Sequence, residues 1–314
     1  MKWMPGRRSR NLEDRRAERG PRRRVRFPTG RGRPGVQIPL PRGKGGIGTL
    51  VLVLVAAYFL GIDPLALLGG AGGIGSGVGV QVPMGSGEPF DVASRGRSAP
   101  SYEASPEEER LVDFVSFVLD DAQGTWSKLL RDYRNAKLVL FRDGIRSACG
   151  SAESAMGPFY CPADQKVYID LAFYEELQRR FGAPGDFAQA YVLAHEIGHH
   201  VQNITGIERE VRRQQSADPK RRNELSVRME LQADCFAGVW AHSTKQRDLL
   251  DRGDVEEGMA AASAVGDDAI QRMAGRHIQP DGFTHGSSEQ RVAWFRRGLD
   301  VGDPAACDSL GSGD

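Results

Sequence analysis

The sequence Tyr191-Val-Leu-Ala-His195-Glu196-Ile-Gly-His199-His200 is the most informative segment of this chain, because it contains the pattern His-Glu-x-x-His. Apolar residues recur at helical spacing around it, so we predict one helix over residues 186–204. His195 and His199 lie one turn apart on that helix, and both imidazole rings can therefore bind one metal ion. Glu196 would lie beside such an ion without binding it, as a zinc hydrolase requires of the carboxylate that takes a proton from water.

The alternative for this segment is an amphipathic helix whose histidines are solvated or packed in the core. His200 lies about 100° around the helix from His199, so we expect a supporting or surface residue there and not a ligand. Gly198 should cost a helix about 1 kcal/mol relative to alanine, which indicates that a neighbouring element needs the space. Asp186 and Gln189 fit the capping pair of the helix N-terminus.

A second helix, predicted over residues 222–244, offers the third ligand that a catalytic zinc ion usually takes from the protein. Glu230 and Asp234 are four residues apart and share a face of this helix. Glu230 can bind the metal, while Asp234 can accept the free N–H of a ligand histidine and fix its tautomer. The alternative is a solvated helix face, the usual environment of such residues. The rival third ligands are His242, His277, His285 and Cys235.

Several longer motifs accompany these two helices. They are Ser154-Ala-Met-Gly-Pro-Phe-Tyr-Cys161-Pro-Ala-Asp, Val167-Tyr-Ile-Asp170-Leu, Asp186-Phe-Ala-Gln, His195-Glu-Ile-Gly-His-His200-Val-Gln, Met229-Glu-Leu-Gln-Ala-Asp-Cys-Phe-Ala-Gly-Val-Trp240 and Phe283-Thr-His285-Gly-Ser-Ser-Glu-Gln-Arg291. Together they resemble the bacterial membrane-anchored putative neutral zinc metallopeptidase family, and the ligand spacing is similar to that of the gluzincins. The resemblance spans nearly the whole chain.

This resemblance implies a helix-rich α+β fold, a zincin-like metallopeptidase domain with a small sheet. It implies that His195, His199 and Glu230 bind Zn²⁺, that Glu196 is the catalytic base and that Asp234 orients a ligand. The string from Thr284 to Arg291 resembles the His-to-Arg spacing of another group of membrane gluzincins. That likeness implies that His285 and Arg291 face the zinc ion and stabilise an oxyanion. The alternative is an ordinary helix N-terminus at Ser287 or Ser288, with Arg291 in a surface ion pair.

Basic residues are concentrated at the N-terminus. Residues 1–44 contain fifteen lysines and arginines and three acidic residues, which leaves the rest of the chain near −11 although the whole carries +1. This stretch is rich in proline and glycine and poor in apolar residues, so we predict a disordered basic cytoplasmic tail. Such a tail can bind nucleic acid without specificity. The apolar segment that follows favours contact with anionic lipid headgroups, and no specific nucleic-acid partner is expected.

An uncharged apolar run follows the tail, from Ile47 to Ile62. We predict a transmembrane helix over residues 45–64, because the run is apolar on every face and reaches the short limit for spanning a bilayer. Basic residues precede it, which predicts a cytoplasmic N-terminus and a catalytic domain outside the cell membrane. A buried core helix and a cleaved signal peptide are the alternatives. We predict a Gly/Ser/Pro-rich linker over residues 65–104. A capping box at 105–108 marks the start of a helix, so we predict that the peptidase domain covers residues 105–314.

Four cysteines, Cys149, Cys161, Cys235 and Cys307, fall in the predicted outer domain. An even number outside the cytoplasm favours disulfides. A Cys149–Cys161 bond would close a short loop, and a Cys235–Cys307 bond would tie the C-terminus to the second motif helix. Other pairings remain open.

The remaining pattern predicts a chain made mostly of helices. Strands are predicted at 137–142 and 166–170. The second is proposed as an edge strand that could hold an extended peptide by strand addition, the alternative being an ordinary sheet strand. The other predicted helices cover residues 106–122, 124–133, 171–181, 254–274 and 288–299.

These observations predict a single-pass, membrane-anchored zinc peptidase that acts on a protein or peptide substrate. The alternative from another class is a membrane-tethered binding or scaffold protein whose zinc site is structural or vestigial. A free carboxylate beside the metal, at Glu196, has no use in a structural site and favours the enzyme.

Overall fold

Eight helices and six strands occur within residues 1–18 and 102–310, the part of the chain that the computed structural model describes. Both stretches belong to one folded unit. The helices are α1 (Pro106–Leu129), α2 (Ala172–Arg179), α3 (Asp186–Ile204), α4 (Ile207–Ala217), α5 (Arg222–Gln246), α6 (Asp254–Ala264), α7 (Asp267–Met273) and α8 (Ser288–Val301). The strands are β1 (Leu12–Asp14), β2 (Lys137–Phe141), β3 (Gly144–Ser147), β4 (Gly150–Glu153), β5 (Phe159–Cys161) and β6 (Lys166–Asp170).

Four strands form the main sheet, in the order β1-β2-β6-β5. β1, β2 and β6 are parallel, and β5 runs antiparallel to β6. The prediction that residues 166–170 form an edge strand is therefore wrong, because β6 is paired on both sides and β5 lies at the edge. Alternate residues of β2 and β6 face the helices and join the main core, as period-two strands require; these are Leu138, Leu140, Val167 and Ile169.

Helices α3 and α5 form the centre of the helical layer, and small residues let neighbouring helices approach closely. A Cβ atom added at Gly198 would lie 3.0 Å from the carbonyl oxygen of Ala233, so the glycine of α3 gives α5 its room, as the sequence indicates. A Cβ at Gly238 of α5 would overlap the backbone of α8 at Phe295. Buried aromatic rings fill the remaining space, for example Phe187 stacked on Trp240 with ring centroids 5.5 Å apart.

Most predicted helices are confirmed, with differences at their junctions. The helices predicted at 106–122 and 124–133 are one helix, α1, which passes through Gly124. The helix predicted at 254–274 is two helices, because Gly266 between α6 and α7 is extended. Helix α4 was not predicted.

The N-terminus of α3 is capped by a distant side chain and not by the predicted local pair. Gly185 is the N-cap residue and offers no side chain. Glu257 of α6 instead accepts the backbone N–H of Phe187 at 3.1 Å. Asp186 binds the α-amino group of Met1 at 2.7 Å, so the carboxylate lies at the positive end of the helix dipole and also holds the beginning of the chain.

Residues 1–18 are part of the folded unit. β1 pairs with β2 through Leu12 opposite Leu138. Arg16 is 4% exposed and binds carboxylates of α1, including Glu109 at 2.8 Å. The predicted disorder of the basic tail is therefore wrong for residues 1–18, because their arginines find complementary acids on α1. Residues 19–44 lie outside the described residues.

The predicted transmembrane helix and most of the linker lie outside the described residues. Within residues 1–18 and 102–310, no helix is long and apolar enough to span a bilayer. The predicted cytoplasmic N-terminus and outer catalytic domain stay predictions.

Two disulfides are present, Cys149–Cys161 and Cys235–Cys307. The first ties the turn between β3 and β4 to the edge strand β5. The second joins α5 to the C-terminal turn at Pro304–Cys307. The disulfides expected from the even cysteine count are confirmed.

Candidate metal centre and cleft

Three side chains from two helices converge at the bottom of a cleft. His195 and His199 project from α3, and Glu230 projects from α5. The Nε2 atom of His195 lies 3.2 Å from one carboxylate oxygen of Glu230, and the Nε2 atom of His199 lies 3.4 Å from the other. One ligand atom from each of the three residues falls within 4.8 Å of the others. The predicted ligand set is therefore brought together.

The spacing of these atoms fits a zinc ion. Zinc–ligand bonds of about 2.0–2.2 Å in a tetrahedron place neighbouring ligand atoms about 3.3–3.6 Å apart. The distances of 3.2 and 3.4 Å between the histidine nitrogens and Glu230 are close to this range. Two imidazoles and one carboxylate form a donor set that suits catalytic zinc and leaves a fourth position for water.

Asp234 supports His195 from the side away from the candidate metal position. Its Oδ1 atom lies 2.8 Å from Nδ1 of His195, and it also accepts the hydroxyl of Tyr191. Arg291 donates to both Asp234 oxygens, with Nε at 2.8 Å and Nη2 at 2.9 Å. An Nδ1–H bond to Asp234 leaves Nε2 of His195 free to bind a metal. Asp234 thus has the geometry that its spacing from Glu230 predicts.

Gln202 supports His199 in the corresponding way. Its Oε1 atom lies 2.8 Å from Nδ1 of His199. Its Nε2 atom donates to the carbonyl of Met229 at 2.7 Å and to Gln232 at 3.0 Å, so the amide is held from α5. Gln202 was not among the predicted site residues. Its position three residues after His199, on the same helix face, is the signal that would have identified it.

Glu196 lies beside the ligand cluster and is 7% exposed. Its Oε2 atom is buried and has no hydrogen-bond partner among the described residues. Burial raises the pKa of this carboxyl, and the neighbouring His199 and His195 only partly offset the effect. A buried carboxylate oxygen without a hydrogen-bond partner lowers the stability of the fold. Its presence here therefore indicates that a ligand or a reacting group binds at this point.

The other ionisable groups show how strongly the cluster is coupled. Burial disfavours a charge on His195, but Asp234 outweighs this effect and raises the pKa of the imidazole to about 9. Burial also opposes ionisation of Glu230, yet His199 and His195 hold its pKa well below the usual range. The cluster therefore carries an anionic carboxylate that a divalent cation can neutralise.

Arg291 does not face open solvent above the cluster. It is 3% exposed. Asp234 occupies its Nε and Nη2 atoms, and Nη1 donates to the carbonyl of Val265 at 3.2 Å. Nη2 is 3.9 Å from Glu230. Arg291 also lines the cleft, and Nη1 has a second N–H besides the one given to Val265, so its predicted role in oxyanion stabilisation stays a prediction. The contacts that the structure does give Arg291 hold Asp234 in place.

His285 lines the same cleft and is half-exposed. Its Nδ1 atom lies 3.1 Å from the carboxylate of Asp267, the first residue of α7. This hydrogen bond is the main reason that the pKa of His285 is raised. Asp267 also accepts backbone N–H groups of Thr284 and His285, which fixes the loop that carries the imidazole. A role of His285 at the reaction centre is compatible with this position.

The cleft has a volume of about 850 Å³, and β5 forms one wall. Tyr160 of β5 bonds through its hydroxyl to Nδ1 of His200 at 3.0 Å, while Nε2 of His200 lies 2.5 Å from the carbonyl oxygen of Arg134. His200 is fully buried, and it joins the edge strand to the helix that carries the ligands. The cleft thus has an edge strand, a ligand cluster and a free carboxylate side by side.

The comparisons with known proteins agree with this site. The model of the family described as "Putative neutral zinc metallopeptidase" matches residues 1–310. The chain is 45% identical to the uncharacterized protein YpfJ of Escherichia coli K12 over 99% of both chains. It is 41% identical to the uncharacterized protein Rv2575 of Mycobacterium tuberculosis over 62% of this chain and 69% of that protein. No solved structure matches the chain.

Proposed function

Because the chain belongs to the putative neutral zinc metallopeptidase family, we propose that it hydrolyses peptide bonds with a zinc ion bound by His195, His199 and Glu230. The observation that carries this proposal is the carboxylate of Glu196, which is buried beside the ligand cluster with one oxygen unpartnered. A zinc site with a purely structural role needs no such group. The alternative of a membrane-tethered scaffold leaves Glu196 without a purpose.

Each residue of the centre has a separate task in the proposed reaction. A bound zinc ion would polarise the substrate carbonyl and make water more acidic. Glu196 accepts the proton of the attacking water and delivers it to the leaving amine. Asp234 and Gln202 hold the two histidines with their Nε2 atoms directed at the metal. Half-exposed His285 donates a hydrogen bond to the developing oxyanion, and Asp267 holds its ring.

The edge strand β5 is the proposed binding surface for the substrate backbone. Within the described residues, β5 pairs only with β6, so one side of the strand is open for another strand. Phe159 and Tyr160 of β5 line the cleft together with Glu196. An extended peptide added to this edge would pass the ligand cluster. The strand that could pair with a peptide is thus β5 and not the predicted strand at residues 166–170.

The test uses the full-length chain, because residues 1–18 belong to the folded unit. The purified protein is expected to bind one zinc ion per chain and to cleave members of a broad peptide library. Glu196→Gln should retain zinc and lose about 10²- to 10⁴-fold in kcat/KM, the usual contribution of a general base. The control is Glu256→Gln, a change on α6 at a residue that does not line the cleft. Zinc binding with no cleavage by either form would favour the scaffold.

We also propose that the peptidase domain acts outside the cytoplasm, and that residues 1–18 lie there with it. Two disulfides support this location, because such bonds persist in oxidising compartments. The pairing of β1 with β2 supports the shared side, because hydrogen-bonded strands of one sheet lie on the same side of a membrane, whereas a single crossing at 45–64 would separate them. The apolar run 45–64 remains a predicted membrane segment. If residues 1–18 and the peptidase domain lie on one side, the chain between them must cross the membrane an even number of times or enter it and leave on the same side.

Two measurements on intact cells test this location. A phosphatase fused after Asp314 should be active, and a membrane-impermeant thiol reagent should label Arg7→Cys, since Arg7 is exposed in the folded unit. An inactive phosphatase would place the domain in the cytoplasm. If the phosphatase is active but Arg7→Cys is labelled only after the cells are opened, the N-terminus lies in the cytoplasm. That result would support a single membrane crossing and contradict the pairing of β1 with β2.

A further inference from the structure

Resting on the proposed function, we propose that the cleft selects an extended peptide with a large apolar side chain next to the bond that is cut. The subsite that accepts this side chain is formed by Phe173, Phe181 and Val192. We call these three residues the aromatic subsite.

The two aromatic rings form a wall that the core does not fully cover. Phe173 lies in α2 and Phe181 just beyond its end, with ring centroids 6.4 Å apart and planes tilted by 47°. Both side chains are partly buried against the core and also line the cleft. A Cβ at Gly157, on the adjoining wall, would already touch Phe173 at 3.6 Å, so the ring is held on that side. Partly exposed aromatic surface inside a concave site is typical of a subsite for apolar groups.

The aromatic subsite is continuous with the reaction centre. Val192 precedes Glu196 by four residues in α3, so the two side chains share one helix face. Both line the same cleft. Because Val192 belongs to the aromatic subsite and lies one turn before Glu196, we place the residue that fills the subsite next to the bond that is cut.

The rim of the cleft is apolar as well. Seven large hydrophobic side chains are exposed among the described residues, and three of them, Met156, Ile270 and Met273, line this cleft at 69%, 40% and 44% exposure. Exposed apolar residues gathered at a site are typical of contact surfaces. Met156, Ile270 and Met273 would contact the substrate residues on either side of the one that fills the aromatic subsite. The substrate class we propose is therefore an unfolded peptide segment rich in bulky apolar residues.

Charge offers no competing basis for selection. Apart from the ligand cluster and its supporting groups, the charged side chains that line the cleft are two of each sign; they are Glu176, Arg180, Glu208 and Arg212. Arg212 is paired with Glu208. Since these four charges sum to zero, they give neither acidic nor basic peptides an advantage.

The experiment compares peptides that differ only at one residue flanking the cleaved bond. The full-length zinc-loaded protein should cleave the phenylalanine or leucine peptide at least tenfold faster, in kcat/KM, than the alanine, aspartate or lysine peptide, as one apolar subsite typically discriminates. Phe181→Ala should reduce this preference about tenfold, because kcat/KM for the phenylalanine peptide falls more than kcat/KM for the alanine peptide. The control is Leu129→Ala, which removes an exposed apolar side chain far along α1 and should alter nothing.

A binding measurement separates selection from catalysis. Dye-labelled phenylalanine and alanine peptides are titrated against Glu196→Gln. The ratio of their Kd values should be similar to the ratio of kcat/KM values measured with the active protein. Phe181→Leu, which keeps an apolar side chain, should retain part of it if Phe181→Ala fails to fold. Equal cleavage of all peptides, or a preference for charged ones, would overturn the subsite while the peptidase assignment stands. Failure to cleave any peptide, with none bound, would overturn the proposed function itself.

Discussion

Gln202 holds His199 through a hydrogen bond of 2.8 Å between its Oε1 atom and Nδ1 of the imidazole, one helical turn further along α3. The bond leaves Nε2 of His199 pointing at Glu230, 3.4 Å away. Asp234 does the same for His195, but from α5. One ligand histidine is therefore oriented from its own helix and the other from the neighbouring helix.

Removing the amide of Gln202 should weaken metal binding. We expect Gln202→Leu to lower zinc affinity by about 10- to 100-fold, because supporting groups of ligand histidines typically contribute that much. Competition with a chelator measures the affinity, and the absorption spectrum of the cobalt-substituted protein reports the ligand geometry. Gln202→Glu, which keeps an acceptor for Nδ1, should come closer to the wild type. Gln189→Leu on the same helix is the control, and an equal loss there would show a general effect on folding.

The close approach of α5 and α8 positions Arg291 against Asp234. Gly238 lies where a Cβ atom would overlap the carbonyl of Phe295. We expect Gly238→Ala to reduce the free energy of unfolding by about 1–3 kcal/mol, since the helices must separate. Urea unfolding followed by circular dichroism measures the change.

Gly124 provides the matched control for Gly238. It lies within α1, and a Cβ there would meet nothing within 4 Å. Gly124→Ala should therefore raise the free energy of unfolding by about 0.5–1 kcal/mol, the helix propensity of alanine over glycine. Changes of the same sign in both variants would contradict the packing argument.

The parts of this molecule that the sequence predicts are those fixed by short-range geometry. His195, His199, Glu230 and Asp234 follow from four-residue spacing on two helices, because a helix turn brings such residues to one face regardless of the rest of the fold. Gln202 obeys the same rule and could have been found by it.

Long-range contacts account for what the sequence does not predict. Asp267 supports His285 from 18 positions earlier in the chain, and Glu257 caps α3 from α6. The role of Arg291 depends on how α8 packs against α5. No local pattern encodes these pairings, and the same holds for β5, whose three residues are too few to show an alternating pattern.

The N-terminal arginines illustrate the same limit and give a further prediction. Arg16 is buried and binds two carboxylates, that of its near neighbour Asp14 at 2.6 Å and that of Glu108 in α1 at 2.9 Å. Glu108 is distant in sequence, so no local pattern predicts this second ion pair. Arg16→Ala should reduce the free energy of unfolding by about 2–3 kcal/mol, because it leaves partly buried carboxylates without a partner. Arg7, which is exposed in the same segment, is the control. Arg7→Ala should change stability by less than about 0.5 kcal/mol. Equal and small effects would mean that residues 1–18 do not contribute to the folded unit.

The pairing of His285 with Asp267 predicts the pH dependence of the proposed reaction. With Nδ1 directed at Asp267, Nε2 carries a proton for the oxyanion only when the imidazole is cationic. The hydrogen bond to Asp267 raises the pKa of His285 above its usual value of 6.5. Activity that depends on this donor should therefore be full below the raised pKa and fall as the pH rises through it.

Replacing Asp267 should move that alkaline limb to lower pH. Asp267→Asn keeps an amide oxygen for the backbone N–H groups but removes the charge that raises the pKa of His285. The profile of kcat/KM against pH, with zinc content checked at each point, measures the shift. Asp268→Asn, which removes the neighbouring carboxylate paired with Arg272, should leave the limb in place. A limb that Asp267→Asn does not move, or that His285→Gln preserves, would show that His285 does not supply the proton at the oxyanion.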